Sequence, residues 1–167
     1  MKKNPVVLVV MDGIGLRDEL EGNAVKQAYT PNLDYLFENA AYTTLQAHGT
    51  MVGLPTDSDM GNSEVGHNAL GSGQIYSQGA KLVNESIETG AMFESETWKW
   101  LVDDLNEHTL HLIGLLSDGN VHSHIDHVKA MVQRAKADGV KKLALHALQD
   151  GRDVDGQSAL IYIDEMQ

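Results

Sequence analysis

The stretch "LHLIGLLSDGN" (110–120), with "HIDHVKAMVQRAKADG" (124–139) and "KKLALHALQDGRD" (141–153) behind it, decides the fold class. Residues 110–116 form an apolar run that stops at Ser117-Asp118-Gly119-Asn120. Val128, Met131, Val132 and Ala135 then recur at helical spacing on one face, and Gly139 is a natural stop for that helix. A second apolar run, 141–148, ends in Gln149-Asp150-Gly151-Arg152-Asp153. Strand, helix and strand of these lengths make a βαβ unit, the building block of a parallel sheet. Both strands end in an Asp-Gly loop, and α/β proteins hold their ligands in loops at the carboxyl ends of parallel strands. The fold class is α/β.

Composition narrows the partners. The chain has 167 residues, 42% hydrophobic and 22% charged, as a globular sequence does. That length suits one ordinary domain or parts of two. Acidic residues outnumber basic ones 24 to 12, for a formal net charge of −12. A field of that sign repels nucleic acid and anionic membrane, so neither is an expected partner. An anionic small substrate needs local help from arginine, lysine, helix N-termini or metal ions. There is no cysteine, hence no disulfide framework and no thiolate zinc site. The apolar run after Lys2-Lys3 is too short for a signal peptide or a membrane span, which makes the cytoplasm the expected location.

Upstream, residues 6–11 (VVLVVM) read as a strand buried on both faces, ending at Asp12-Gly13. In "YTPNLDYLFENA" (29–40), Thr30 is the expected N-cap and Pro31 the first helical residue, with Leu33, Leu36, Phe37 and Ala40 as an apolar stripe. "AYTTLQAHG" (41–49) reads as a second strand, leading into the polar loop "LPTDSDMGNSEVGHNALGSG" (54–73). Residues 81–107 carry a helical pattern. "QSALIYIDEMQ" (157–167) begins another helix and ends without a stop signal, the expected look of the front of a longer protein.

Four groups of residues offer chemistry. Asp12, at the end of the first apolar run, suits a metal or phosphate site, and equally suits a turn-forming Asp-Gly. Ser63, between Asn62 and Glu64, stands at or near a helix N-terminus, where backbone N–H groups stabilise phosphate. Its hydroxyl becomes a nucleophile only with a base or metal beside it; otherwise Ser63 is an N-cap. "HSHIDH" (122–127) repeats the H-x-H-x-D-H zinc signature of metallo-β-lactamase-fold hydrolases through His122, His124, Asp126 and His127. The α/β pattern in front of it argues against that sandwich fold. Arg152 and Asp153 pair a planar cation with an acceptor for substrate hydroxyls, or else form a solvated surface pair.

In order along the chain, "VVMDGIG", "TPNL", "MGNSEVGHNALGSG", "LLSDGNVHSH" and "DGRDVDG" resemble cofactor-independent (2,3-bisphosphoglycerate-independent) phosphoglycerate mutase. The resemblance spans essentially all 167 residues, and the serine loop is its most specific part. It implies interconversion of 3-phosphoglycerate and 2-phosphoglycerate through a phosphoserine, with two divalent metal ions, typically manganese. Ser63 matches the nucleophile, and Asp12 matches a ligand of one metal, which Ser63 also contacts. His122, Arg152 and Asp153 match residues that hold the glycerate. The implied architecture is an alkaline-phosphatase-like domain, first segment 1–77, with residues 78–167 as the front of an inserted α/β transferase domain. Ile14 departs from the tryptophan of many members, and "DGRDVDG" departs from the "DGRDVPP" of many bacterial ones. The remaining metal ligands and substrate-binding side chains lie in the family's C-terminal segment, so that segment is an expected partner. The 167 residues alone are expected to be inactive, and either to borrow order from that segment or to self-associate. The zinc hydrolase on residues 122–127 and a non-catalytic phosphate-binding fragment stand as alternatives.

Overall fold

The computed structural model describes residues 5, 8–12, 14–103 and 108–167. They divide into two compact units, one within residues 1–45 and one covering residues 46–167. In the first unit, helix α1 spans Ala24–Gln27 and α2 spans Pro31–Asn39. Thr30 is the N-cap of α2 and Pro31 opens it, as read from the sequence. No residue of α2 is buried, however: Leu36 and Phe37 of the expected stripe are exposed.

The strand expected over residues 6–11 is not found where it can be seen. Residues 6 and 7 lie outside the described set, and Leu8–Met11 carry no ladder and are exposed, Leu8 at 78%. The strand expected over 41–49 is likewise absent, with irregular chain leading into a 3-10 turn at Gly49–Val52. The reason is pairing. An apolar, β-branched run becomes a strand only when a neighbour satisfies its backbone N–H and C=O groups. Among the described residues the sheet has just two strands, both in the second unit.

Those two are the strands of the βαβ unit: β1 spans Leu110–Leu116 and β2 spans Leu143–Gln149. They pair in parallel, with Leu110 opposite Leu143 and Leu116 opposite Gln149. Before them come α3 (Ser63–Ser72), α4 (Gly79–Glu88), α5 (Ala91–Glu94) and α6 (Glu96–Val102). The crossover between the strands is α7, Ile125–Ala137, and α8 (Ala159–Glu165) follows β2.

Helix α7 buries Ile125, Val128 and Ala135, and the chain leaves it at Asp138-Gly139, with Gly139 at φ +89°. That left-handed value is cheap for glycine alone, which is why the helix stops there. Phe93, Trp98, Leu110 and Ala135 form the main core, where Trp98 packs edge-on to Phe93. The indole N–H of Trp98 donates to Asp138 Oδ2 at 2.8 Å, so the ring is buried without orphaning its donor. Leu116, Ile125 and Tyr162 form a second cluster nearer the carboxyl ends of the strands. A third joins Val52, Leu54 and Val65 beneath α3. Buried Gln78 braces it, its amide donating to the carbonyls of Val52 (3.0 Å) and Val65 (3.2 Å).

Candidate functional site

The carboxyl ends of β1 and β2 are built around a buried carboxylate. Asp150, 5% exposed, accepts the hydroxyl of fully buried Ser117 at 2.6 Å. Its other oxygen accepts the backbone N–H groups of Arg152 (3.0 Å) and Asp153 (3.1 Å). The Ser117 hydrogen bond, then the Arg152 N–H, hold its pKa below the ordinary 3.8, against the opposing effect of burial. Asp150 thereby folds the second Asp-Gly loop into one shape and clamps it to the end of β1.

That shape presents Asp153 to His122. Nδ1 of His122 lies 2.6 Å from Asp153 Oδ2, whose side chain is only 7% exposed while the imidazole is 57% exposed. The carboxylate accepts the Nδ1 proton, which orients the ring and leaves Nε2 as its outward polar atom. Close packing depends on Gly119, where a Cβ would lie 2.6 Å from Asp153 Cβ. Arg152 is exposed beside this pair. The structure therefore brings together His122, Arg152 and Asp153, three of the residues singled out from the sequence.

Ser63 is the first residue of α3, and the N-cap is its neighbour. Asn62 Oδ1 accepts the N–H of Val65 at 3.0 Å, so the capping role open to Ser63 in the sequence belongs to Asn62. The serine hydroxyl is left in the first turn, at the positive end of a ten-residue helix. His67, one turn on, has Nδ1 at 2.7 Å from the Ser63 carbonyl and 3.1 Å from Ser63 Oγ. A carbonyl only accepts, so Nδ1 carries the proton and points it at the serine. His67 in this pose is a donor to Ser63, not its base. Asp12 lies in an exposed turn of the first unit.

The histidine-rich motif does not converge on a metal. His122 turns to Asp153, His124 caps α7 by accepting the Asp126 N–H at 3.2 Å, and His127 Nε2 lies 2.6 Å from Asn84 Oδ1. Burial, then the neighbouring His124, lowers the pKa of His127, which keeps it neutral as the bridge between α7 and α4. Three imidazoles turned to three different partners do not favour the zinc-hydrolase alternative. Among the described residues no group of three or more His, Cys, Asp or Glu side chains is set to hold a metal ion. A divalent ion therefore does not fit the donor set of these residues alone.

Sequence reasoning passed over Asp150 and Ser117 as sites, although the repeated Asp-Gly at both strand ends signalled them. It also passed over Asp59 and Asn120, which join the serine loop to the His122 loop: Asn120 Nδ2 donates to Asp59 Oδ1 at 2.6 Å.

The family model described as BPG-independent PGAM N-terminus matches residues 83–167. The chain is 48% identical over 170 residues to a probable 2,3-bisphosphoglycerate-independent phosphoglycerate mutase of Leptospira interrogans, covering 99% of this chain and 31% of that protein. It is 47% identical over 170 residues to the 2,3-bisphosphoglycerate-independent phosphoglycerate mutase of Trypanosoma brucei brucei, covering 100% and 31% respectively. A crystal structure of Leishmania mexicana phosphoglycerate mutase at low cobalt concentration superposes with a TM-score of 0.73 and 46% identity, over 83% of this chain and 26% of that one. The chain thus spans about a third of the length of these curated relatives. A bare phosphate-binding fragment is not the reading these likenesses favour.

Proposed function

The chain belongs to the family of BPG-independent phosphoglycerate mutase N-termini, and from that premise we propose that the whole protein interconverts 3-phosphoglycerate and 2-phosphoglycerate through a phosphoserine at Ser63. The observation that carries the proposal is the 46–48% identity to phosphoglycerate mutases over nearly the full chain. Two features of the geometry support the reading: Ser63 opens α3, and His122 meets Asp153. In the first half-reaction, Ser63 Oγ attacks phosphorus, the Oγ–P bond forms and the ester P–O bond to C3 breaks. The serine proton ends on the departing glycerate oxygen. In the second, the C2 hydroxyl oxygen attacks the phosphorus, the Oγ–P bond of the phosphoserine breaks, and the proton of the C2 hydroxyl ends on Ser63 Oγ. Stabilising charged oxygens in flight is the main task in such transfers, and the first turn of α3 offers N–H groups and a dipole for it.

His122, Arg152 and Asp153 hold the glycerate between the two transfers. Arg152 supplies a planar fork for its carboxylate, Asp153 accepts from a hydroxyl, and Asp150 fixes the loop that carries both. Residues 1–77 are the first segment of the alkaline-phosphatase-like domain and 78–167 the front of the inserted transferase domain. Of two divalent ions, manganese, one would take Asp12 and Ser63 as ligands and the other would draw its ligands from outside this stretch. When bound they would supply charge stabilisation to the phosphoryl oxygens. The cytoplasm is the proposed location, and the 167 residues alone are inactive and either borrow order from the remaining segment or self-associate.

The test is Ser63→Ala in the whole protein. Turnover is expected to fall at least about 1,000-fold, because the covalent intermediate cannot form. Retention of a few per cent of activity with unchanged thermal stability would remove Ser63 from the nucleophile's role.

A further inference from the structure

We propose that Asp59 and Asn120 form a positioning latch that sets the serine loop against the loop holding His122, an inference that rests on the function proposed above. Asp59 lies four residues before Ser63, and Asn120 two before His122. Their side chains meet across 61 positions of sequence, with Asn120 Nδ2 donating to Asp59 Oδ1 at 2.6 Å.

Both partners are held for this contact. Asp59 Oδ2 accepts the N–H (2.6 Å) and hydroxyl (2.8 Å) of Thr56, and its carbonyl accepts the N–H of Gly49 at 3.1 Å. The carboxylate can hardly swing away without losing these bonds. Burial works to raise its pKa, but the hydrogen bonds from Thr56 and Asn120 outweigh it and keep the group ionised. Asn120 sits at φ +60°, the one non-glycine residue in the left-handed region among those described. Asparagine tolerates that region better than most residues but still at a cost glycine would avoid. A glycine would relax the turn and lose the side chain that reaches Asp59. The turn is closed by the Asn120 N–H donating to the Ser123 carbonyl at 3.1 Å. Asn120 and His122 together line a cavity of about 190 Å³ whose other wall includes Gly79, Ala80 and Val83.

Phosphoryl transfer is sensitive to the placement of nucleophile against substrate, where small displacements cost large factors in rate. A latch four residues from one and two from the other controls that placement without touching substrate. Its loss should act on turnover more than on substrate affinity.

The experiment uses the whole protein with Asn120→Gly, Asn120→Asp, and the exchange pair Asp59→Asn with Asn120→Asp. Asn120→Gly relaxes the backbone, so it folds and reports the lost contact alone. Asn120→Asp sets carboxylate against carboxylate. The double variant restores the bond with donor and acceptor exchanged. The expected results are a kcat about fivefold lower in Asn120→Gly and at least tenfold lower in Asn120→Asp. KM for 3-phosphoglycerate should stay within about twofold, and kcat in the double variant should return to within about threefold of the parent. Amide hydrogen exchange over residues 49–61 and 117–125 should accelerate in both single variants and recover in the double.

Unchanged exchange in both single variants would overturn the latch whatever the activity. Faster exchange with kcat unchanged would overturn its positioning role. A parent protein without mutase activity would instead overturn the proposed function, and the positioning role with it, while exchange still decides whether the contact exists.

Discussion

Residues 8–45 and residues 110–153 each contain apolar, strand-like runs, yet only the second region turns them into a sheet. Leu110–Leu116 and Leu143–Gln149 lie side by side, with α7 covering one face and Leu110 buried to 5% exposure. Leu8–Met11 and residues 40–45 form no ladder, and their large apolar side chains are exposed. The contrast is not one of propensity, because Val9 and Val10 are better strand formers than Leu115. It is one of closure. In the second region the crossover helix sits between the strands and delivers the partner locally, whereas the first run must find its neighbours elsewhere. Apolar character proposes a strand, and pairing makes it one.

The widest gap between the regions should appear on truncating core side chains. Trp98→Ala should cost about 4 kcal/mol, because it empties a packed ring site and removes the indole's hydrogen bond to Asp138. Urea unfolding of the 167-residue chain, followed by circular dichroism, measures it. Leu8→Ala in the same assay should change stability by less than about 0.5 kcal/mol. Equal costs would dissolve the distinction drawn here.

Asp150→Ala should cost about 3 kcal/mol, since it leaves the Ser117 hydroxyl and two backbone donors unpaired. It should also raise the KM for phosphoglycerate in the whole protein by displacing Arg152. The folded-state pKa of Asp150 is lowered, so its contribution is complete above the ordinary 3.8 and fades as pH falls through the lower folded value. Asp150→Asn should flatten the acid limb of the stability curve in that range.

Gly119→Ala should cost about 1–3 kcal/mol, as its methyl group meets Asp153 at 2.6 Å. The His122–Asp153 hydrogen bond should weaken with it, visible as a shifted Nδ1 proton resonance of His122. An unperturbed resonance would show that the two strand-end loops have slack between them.

A smaller effect than those of Asp150 and Gly119 belongs to His127. Its folded pKa is lowered from 6.5, so the unfolded chain binds the proton first and stability falls as pH drops from about 6.5 through the folded value. His127→Gln keeps a donor toward Asn84 and should remove that dependence at a cost of about 1 kcal/mol or less. A stability curve between pH 7 and 5 that is identical for both proteins would show that His127 is not the titrating group.

Much of the second region was legible along the chain. The helical spacing of Val128, Met131 and Ala135, the stop at Gly139 and the paired Asp-Gly loops predicted the βαβ unit. Thr30 and Pro31 predicted the start of α2, because the fixed φ of Pro31 suits a first helical turn and needs no distant partner, although Thr30 makes no side-chain capping hydrogen bond. The strands expected over 6–11 and 41–49 find no ladder at residues 8–11 and 41–49, because ladder formation is not local. The histidine motif misled for a similar reason. Four metal-competent residues in a row of six carry no information on where their rings point, and the rings of His122, His124 and His127 diverge to Asp153, Asp126 and Asn84.

By itself the sequence determined what repeats at short range: the α/β class, the helix faces, the caps and stops, and a serine at the start of a helix. These follow from local sterics and from hydrophobic period, which a few neighbouring residues suffice to define. Tertiary structure alone decided which polar groups meet. It buried Asp150 against Ser117 across 33 positions, set His122 on Asp153 across 31 and tied Asn120 to Asp59 across 61. Such pairings depend on how strands and loops come together in space, and a buried polar group has to find its partner there because leaving it unpaired costs more than folding can spare.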